Sequence, residues 1–524
     1  MKTTRIESSG RSQPFMLENV YSPSSLMRTM NYRCHSPGRI KTQTIVGVIC
    51  LACLVVLQCL QADEPIDVGS RRQLFVDRHL IDTQENLRQV LHHPVRRGIA
   101  IQAEHPWENA GVSYMVSFRD GDKFRAWYRV DTAKFNFSDS RSMTAYAESN
   151  DGIHWHKPKL GIIEFAGSKQ NNLVWDEPGL VNMAVFRDDN PEARSDERYK
   201  ALIRGRNIFA LVSADGLHWR KAGDEPILDD PPFDSHNIAF WDPLTKHYLA
   251  YTRGVRLDGR LGQGMTSRFK GGVRWVRHSR STDFRHWTAL QPIQTGDSPR
   301  EEFYTNSTIR YERAPDFLFM FPSRFASARK PNPDWKHGAG VNDIAFLSSR
   351  DGLQFDRTFM QAFIRPGTDD GNWHERSLYM ERGVLQTSPT ELSLYCMQNW
   401  RLPTVHIRRY TLRSDGFVSI QAGYSQGELV SNPLQFNGDE LHLNFSTSAV
   451  GFIKVEIMKA DGGAIDGLRL ADCPEIYGDK IDGHVDWTSD AKLADLANTA
   501  VRLRFVLSDA DLYAFRFSEA SDDL

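Results

Sequence analysis

Glu148-Ser-Asn-Asp-Gly-Ile-His-Trp155 and Val212-Ser-Ala-Asp-Gly-Leu-His-Trp219 are two copies of one motif. Three further segments repeat it with variation: Ser279-Arg-Ser-Thr-Asp-Phe-Arg-His-Trp287, Ser348-Ser-Arg-Asp-Gly-Leu-Gln-Phe355 and Leu412-Arg-Ser-Asp-Gly-Phe417. The motif aspartates Asp151, Asp215, Asp283, Asp351 and Asp415 lie 64, 68, 68 and 64 residues apart. Ser-x-Asp-Gly reads as a turn, because Asp accepts nearby backbone N–H groups and Gly supplies positive φ. The aromatic residue that follows can plug the gap between neighbouring sheets. A motif needed five times is structural before it is a ligand site.

The segments around each turn alternate with period two, as in Phe124-Arg-Ala-Trp-Tyr-Arg129, Tyr248-Leu-Ala-Tyr-Thr252 and Phe317-Leu-Phe-Met-Phe321. Arg119-Asp-Gly-Asp122 and Asp242-Pro-Leu-Thr245 read as hairpin turns. No long helical period interrupts residues 70–420. A repeat of about 66 residues holding four strands is one propeller blade, and five of them close a ring. From about Gln421 the motif stops. The strands Glu440-Leu-His-Leu-Asn-Phe445, Gly451-Phe-Ile-Lys-Val-Glu-Ile-Met458, Ala500-Val-Arg-Leu-Arg-Phe-Val506 and Leu512-Tyr-Ala-Phe-Arg-Phe517 then read as a β-sandwich. The expected fold is all-β: residues 63–420 a five-bladed β-propeller, residues 421–524 a β-sandwich, and residues 1–62 an N-terminal extension.

That extension is polar and basic until Arg39 and Lys41. An apolar run from Ile45 to Leu60 follows, with Ala62 before Asp63. This is the pattern of a secretory signal peptide, with a mature start near Asp63. Met27 and Met30 are alternative starts. The alternative to a signal is a single membrane anchor, for which the run falls short of about 20 residues. The expected location is secreted or periplasmic, with membrane contact only if the apolar segment is retained. Of six cysteines, only Cys396 and Cys473 follow the run. They read as a free buried pair.

Composition narrows the function. Net charge is −2, which argues against a nucleic-acid partner. Aromatics are 11% of the chain, a level that suits strand-rich structure or an aromatic-lined cleft. No cofactor is implied and no spacing specifies a metal. A structural calcium ion in the channel is the one metal left open.

The five motif copies, the export pattern and the C-terminal strands together resemble glycoside hydrolases of families 32, 43 and 68. The resemblance covers residues 70–524 and is architectural. It implies a secreted glycosidase acting on a polysaccharide or oligosaccharide, with carboxylates from different blades at the channel mouth. The family 32 motif Trp-Met-Asn-Asp-Pro-Asn-Gly is absent, and Arg187-Asp-Asp-Asn-Pro191 only echoes the Arg-Asp-Pro motif.

The repeat also gives a phase for the site. Counting back from each motif aspartate leads to the start of an early strand in each blade. Those positions read Pro106-Trp107-Glu108, Val181-Asn182, Asp234-Ser235-His236-Asn237, Glu301-Glu302-Phe303-Tyr304-Thr305-Asn306 and Asn372-Trp373-His374-Glu375-Arg376. Glycoside cleavage needs two carboxyl groups across the scissile bond. Glu108, Asp234, Glu301 and Glu302 are the catalytic candidates on this count. Trp107, His236, Asn237, Tyr304, Asn306, Trp373, His374, Glu375 and Arg376 are the substrate-binding candidates. Asp77 is a further blade-edge acid, expected on the strand that closes the ring. The alternatives are a non-catalytic carbohydrate-binding propeller and a protein-interaction propeller.

Overall fold

A computed structural model describes residues 64–132, 141–257, 260–262, 272–331 and 339–519. The expected export signal lies outside the described residues, as do Cys34, Cys50, Cys53 and Cys59. The described chain is all-β, broken only by short 3-10 turns.

Strands β1 (Ile66–Gly69), β2 (Gln73–Leu74), β3 (Ile81–Glu85), β4 (Leu87–Leu91) and β5 (Val95–Gln102) come first. Antiparallel meanders follow. The first holds β6 (Gly111–Asp120), β7 (Lys123–Asp131), β8 (Ser142–Ser149) and β9 (Leu173–Trp175). The second holds β10 (Val181–Arg187), β11 (Tyr199–Arg204), β12 (Ile208–Ser213) and β13 (Arg220–Lys221). The third holds β14 (Ile238–Asp242), β15 (His247–Leu257), β16 (Arg260–Gly262) folded back on β15, β17 (Val273–Ser281) and β18 (Gln291–Pro292). The fourth is interrupted: β19 (Ile309–Arg310), β20 (Leu318–Met320), β21 (Ser323–Ala326), β22 (Val341–Ile344) and β23 (Leu347–Ser349). The last holds β24 (Leu378–Ser388), β25 (Glu391–Gln398) and β26 (His406–Arg413). It takes β5 as its outermost strand, with His406 opposite Gln102 and Thr411 opposite Val95.

Successive meanders are tied to one another through β7, β10, β24 and the segments leading into β14 and β19. Arg129 donates to Asn182 Oδ1 at 2.9 Å, Asn182 Nδ2 to the Ser235 carbonyl at 2.9 Å, and Ser235 Oγ to the Tyr304 carbonyl at 3.0 Å. Ser307 Oγ donates to the Met380 carbonyl at 2.7 Å, and a parallel bridge between Arg382 and Val116 returns to the first meander. Among the described residues the ties therefore run once around a ring, the arrangement of a β-propeller.

The repeated motif follows the third strand of each meander. Asp151 Oδ1 accepts the backbone N–H groups of Ile153 (2.7 Å) and His154 (2.8 Å), and Ser149 Oγ accepts Gly152 N–H at 2.9 Å. Asp215 and Asp351 repeat this geometry, as does Asp283 with Phe284 in place of Gly. The turn also latches blades together. The Gly216 carbonyl accepts the Trp127 indole N–H at 2.7 Å, the Gly352 carbonyl accepts the Tyr251 hydroxyl at 2.9 Å, and the Gly152 carbonyl accepts the Tyr395 hydroxyl. In each case the donor lies on the second strand of the neighbouring meander.

The fifth copy departs from the pattern. Asp415 is fully buried, accepts the Tyr311 hydroxyl at 2.7 Å and pairs with Arg313 at 2.8 Å. Its segment lacks the tryptophan, and the chain leaves that turn for another sheet.

That sheet holds β27 (Val418–Ala422), β28 (Gly427–Ser431), β29 (Leu434–Phe436), β30 (Glu440–Lys459), β31 (Asp479–His484) and β32 (Val501–Ser518). β30 and β32 pair over their lengths, with register shifts at Asn444/Phe445 and Thr447/Phe452. The outer edge of β32 is shared by β2, β27, β28 and β29. The sandwich expected of residues 421–524 is thus one ten-stranded hydrogen-bonded network, bent at those shifts around Phe75, Leu429, Ile453, Phe505 and Phe515. Strands β1–β4 belong to this network, so residues 66–91 fold with the C-terminal strands rather than with the repeat. The expectation that Asp77 lies on the ring-closing strand is corrected: β5 closes the ring, and Asp77 pairs with Arg350 at 2.8 Å. Gln73, Leu74, Phe75 and Val76 are all buried beside it, a pattern that either location would satisfy. Cys396 and Cys473 are both buried and unbridged.

Candidate functional site

In each meander the first strand begins, and the second ends, at the same mouth of the ring. The residues picked by phase lie at this level. They divide into anchors and groups that face the mouth.

Glu108 is an anchor. It has no exposed surface and accepts the Tyr128 hydroxyl (2.9 Å), the backbone N–H groups of Glu104 (2.9 Å) and His105 (3.1 Å), and Lys157 Nζ (2.9 Å). All of these partners come from the first meander and its flanks. Trp107 is buried beside it, stacks on His105 and donates to Asn172 Oδ1 at 3.0 Å. Glu301 is held by Arg324 at 2.9 Å and Arg357 at 2.8 Å, and Glu302 by Arg274. Glu108 is thus sealed from solvent inside the first meander, and burial divides the residues at this level.

The two asparagines are also anchors. Asn237 donates to the Phe233 carbonyl at 2.9 Å and accepts Arg253 N–H at 2.9 Å. Asn306 donates to the His236 and Tyr251 carbonyls, both at 3.2 Å. They close backbone gaps where the strands start. His374 is buried, its Nδ1 lying 3.0 Å from the Glu375 carbonyl. His236 is buried, and neither ring nitrogen meets a hydrogen-bond partner among the described residues. Burial lowers its pKa to about 3, with Arg382 adding to the effect.

Asp234 differs. Its side chain is 38% exposed and lies 3.9 Å from Arg253. Arg253 stacks over the Tyr304 ring, 4.5 Å from its centroid. Tyr304 stacks on Tyr379 (5.3 Å), Tyr379 on Tyr114 (5.5 Å), and Tyr114 meets His236 (5.4 Å). Burial pushes the Tyr114 hydroxyl up, and Tyr304 and Asp234 push the same way. Beyond Tyr304, Glu375 holds Arg376 at 2.6 Å and also Arg401. Trp373 is 42% exposed, with its indole N–H on the Gly367 carbonyl at 2.8 Å. On the other side Arg129 pairs with Asp131 at 2.8 Å, and Arg204 reaches the Gly205 carbonyl at 3.3 Å. Among the described residues no group of three or more His, Cys, Asp or Glu is placed to hold a metal ion.

Tyr114, Arg129, Arg204, Arg253, Tyr379 and Arg401 were missed by the count from the motif. A signal existed: an arginine recurs in or near the second strand of each meander, at Arg129 in β7, Arg204 at the end of β11, Arg253 in β15, Arg324 at the start of β21 and Arg401 just after β25. The loops between those arginines and the motif vary in length, so a fixed offset passes over them. The opposite mouth holds a cleft lined by Arg310, Glu312, Arg313 and Arg382. Desolvation there raises the Glu312 carboxyl, with Asp189 adding.

No family model matches the chain. Two uncharacterized proteins of Mycobacterium tuberculosis, from strains CDC 1551 / Oshkosh and ATCC 25618 / H37Rv, are each 27% identical over 175 residues, 32% of this chain. The chain spans about half (53%) of the length of those relatives. Among solved structures, one described as a glycoside hydrolase is 14% identical, with a TM-score of 0.42 over 61% of this chain and 92% of the other. An N-acetylgalactosamine deacetylase from F. plautii is 12% identical, with a TM-score of 0.41 over 63% of this chain and 97% of the other. A glycoside hydrolase of the GH130 family of mannoside phosphorylases is 14% identical, with a TM-score of 0.41 over 61% of this chain and 94% of the other.

Proposed function

We propose that this protein is an exported carbohydrate-active enzyme that cleaves glycosidic bonds at the arginine- and tyrosine-lined mouth. The observation that carries this reading is Asp234. Of Glu108, Asp234, Glu301, Glu302 and Glu375 it is the one with more than a third of its side chain exposed, beside three stacked tyrosines. Sugars bind on flat apolar faces with polar groups at their edges, and the exposed Trp373 offers such a face.

Asp234 is the reacting carboxyl in this reading, and Glu375, nearly buried and paired with Arg376 and Arg401, is a substrate-binding acid that Tyr304 links to it through Arg376 on one side and Arg253 on the other. Arg376 and Arg401 orient it. Export rests on the apolar run ahead of Asp63.

The test is a panel of oligosaccharides and polysaccharides offered to the mature chain and to Asp234→Asn. Turnover by the parent should fall by about 10²–10⁴-fold in the variant, the size of one proton-transfer contribution. Full activity in the variant removes Asp234 from the mechanism. A second reading, a non-catalytic carbohydrate-binding propeller, is favoured by one fact: Glu108, Glu301 and Glu302 are all committed to basic partners. Saccharide binding without turnover by the parent selects it.

A further inference from the structure

The mouth carries more guanidinium than carboxylate. Arg129 is paired with Asp131, Arg376 and Arg401 share Glu375, and Arg253 faces Asp234 at 3.9 Å. Arg204 joins this group without an acid of its own. Its Nε is buried with no hydrogen-bond partner among the described residues, while Nη1 donates to the Gly205 carbonyl at 3.3 Å. Five guanidiniums thus meet three carboxylates, in a chain whose net charge is −2.

Folding alone does not reward this arrangement. A buried donor without an acceptor costs about 1–3 kcal/mol, more when charged. Burial works against the Arg204 cation, Asp234 opposes that loss, and Arg129 and Arg253 add to it. An arginine kept under those conditions is poised for an acceptor that arrives from outside. The guanidinium fork matches a planar carboxylate or a sulfate oxygen pair.

We propose that the mouth recognises a negatively charged sugar residue, with Arg204 as the first contact to its anionic group and Arg253 beside it. The shared chemistry is an acidic saccharide, either a uronate or a sulfate ester. This deepens the carbohydrate reading and rests on it.

The experiment measures binding of matched pairs to the full chain by calorimetry. One pair is trigalacturonate and its neutral methyl ester. The other is a sulfated galactan oligosaccharide and its desulfated form. One charged member should bind at least about tenfold tighter than its neutral partner, as expected of one charge-assisted contact. Which pair shows the preference identifies the anion. The preference should shrink with added salt. Arg204→Gln should remove most of it, and Arg204→Lys should restore part.

Equal binding of charged and neutral members overturns the proposal, and so does a preference that Arg204→Gln leaves intact. Inorganic sulfate or phosphate that binds at Arg204 without competing against the charged oligosaccharide also overturns it. The carbohydrate reading fails separately. Hydrolysis of neutral sugars, unaffected by Arg204→Gln, leaves that reading standing while this one falls. Charged sugars bound through Arg204 but never cleaved leave recognition standing while catalysis falls.

Discussion

Lys157 Nζ lies 2.9 Å from Glu108 Oε2, at a point where Glu108 has no exposed surface and the Lys157 side chain keeps 10%. The two ends of this pair come from the segment before β6 and the loop after the first motif. It pins the entry to the first meander.

Removing one member of such a pair leaves an uncompensated buried charge, at a cost of about 3–5 kcal/mol. Glu108→Gln should therefore lower the urea midpoint clearly. Gln can still accept the backbone N–H groups, so the loss belongs at the lower end of that range. Activity per folded molecule should stay as in the parent. Glu108→Gln/Lys157→Met should recover part of the loss, since it strands no charge. A variant with parental stability and a hundredfold loss of turnover would return Glu108 to the catalytic set.

The contrast between Glu108 and Asp234 shows what was legible in the sequence. Both stand beside aromatic or polar residues just ahead of an apolar strand, and both fall at one phase of the repeat. The repeat comes from local turn chemistry, in which Asp151, Asp215, Asp283 and Asp351 each accept N–H groups two and three residues on, so periodicity reveals it. Burial of a single acid is set by Lys157, 49 residues away in the chain, and periodicity carries no trace of such a contact. The ring-closing strand was misplaced for a related reason. Leu74-Phe-Val and Val95–Gln102 both satisfy a strand pattern, and only partners over 300 residues away distinguish them.

His236 gives the chain a defined acid sensitivity. Burial lowers its pKa to about 3, against an ordinary value of 6.5. The unfolded chain therefore binds this proton more readily than the folded one between those values. Stability from this group is complete above pH 6.5 and declines as pH falls toward 3. His278, lowered to about 4 by burial, acts in the same direction. Urea unfolding at pH 7 and pH 4.5 should show a loss that His236→Gln reduces by up to about 1.4 kcal/mol per pH unit between them. An unchanged loss in the variant would mean that His236 is hydrated and titrates normally.

The latch between blades makes the last prediction. Gly216 sits at φ +77°, and its carbonyl accepts the indole N–H groups of Trp127 (2.7 Å) and Trp219 (2.9 Å). A Cβ at this position would lie 2.9 Å from Trp127 Cζ2 and 3.3 Å from Tyr199 Cδ1. Both rings are buried, so neither can move aside. Gly216→Ala pays for the left-handed backbone, about 1–2 kcal/mol, and for overpacking, about 1–3 kcal/mol more. Gly223→Ala is the control, since a Cβ there meets nothing within 4 Å and the backbone is not left-handed. Urea midpoints should place Gly216→Ala well below the parent and Gly223→Ala beside it. Equal midpoints for the two variants would mean that the motif only turns the chain and does not join the blades.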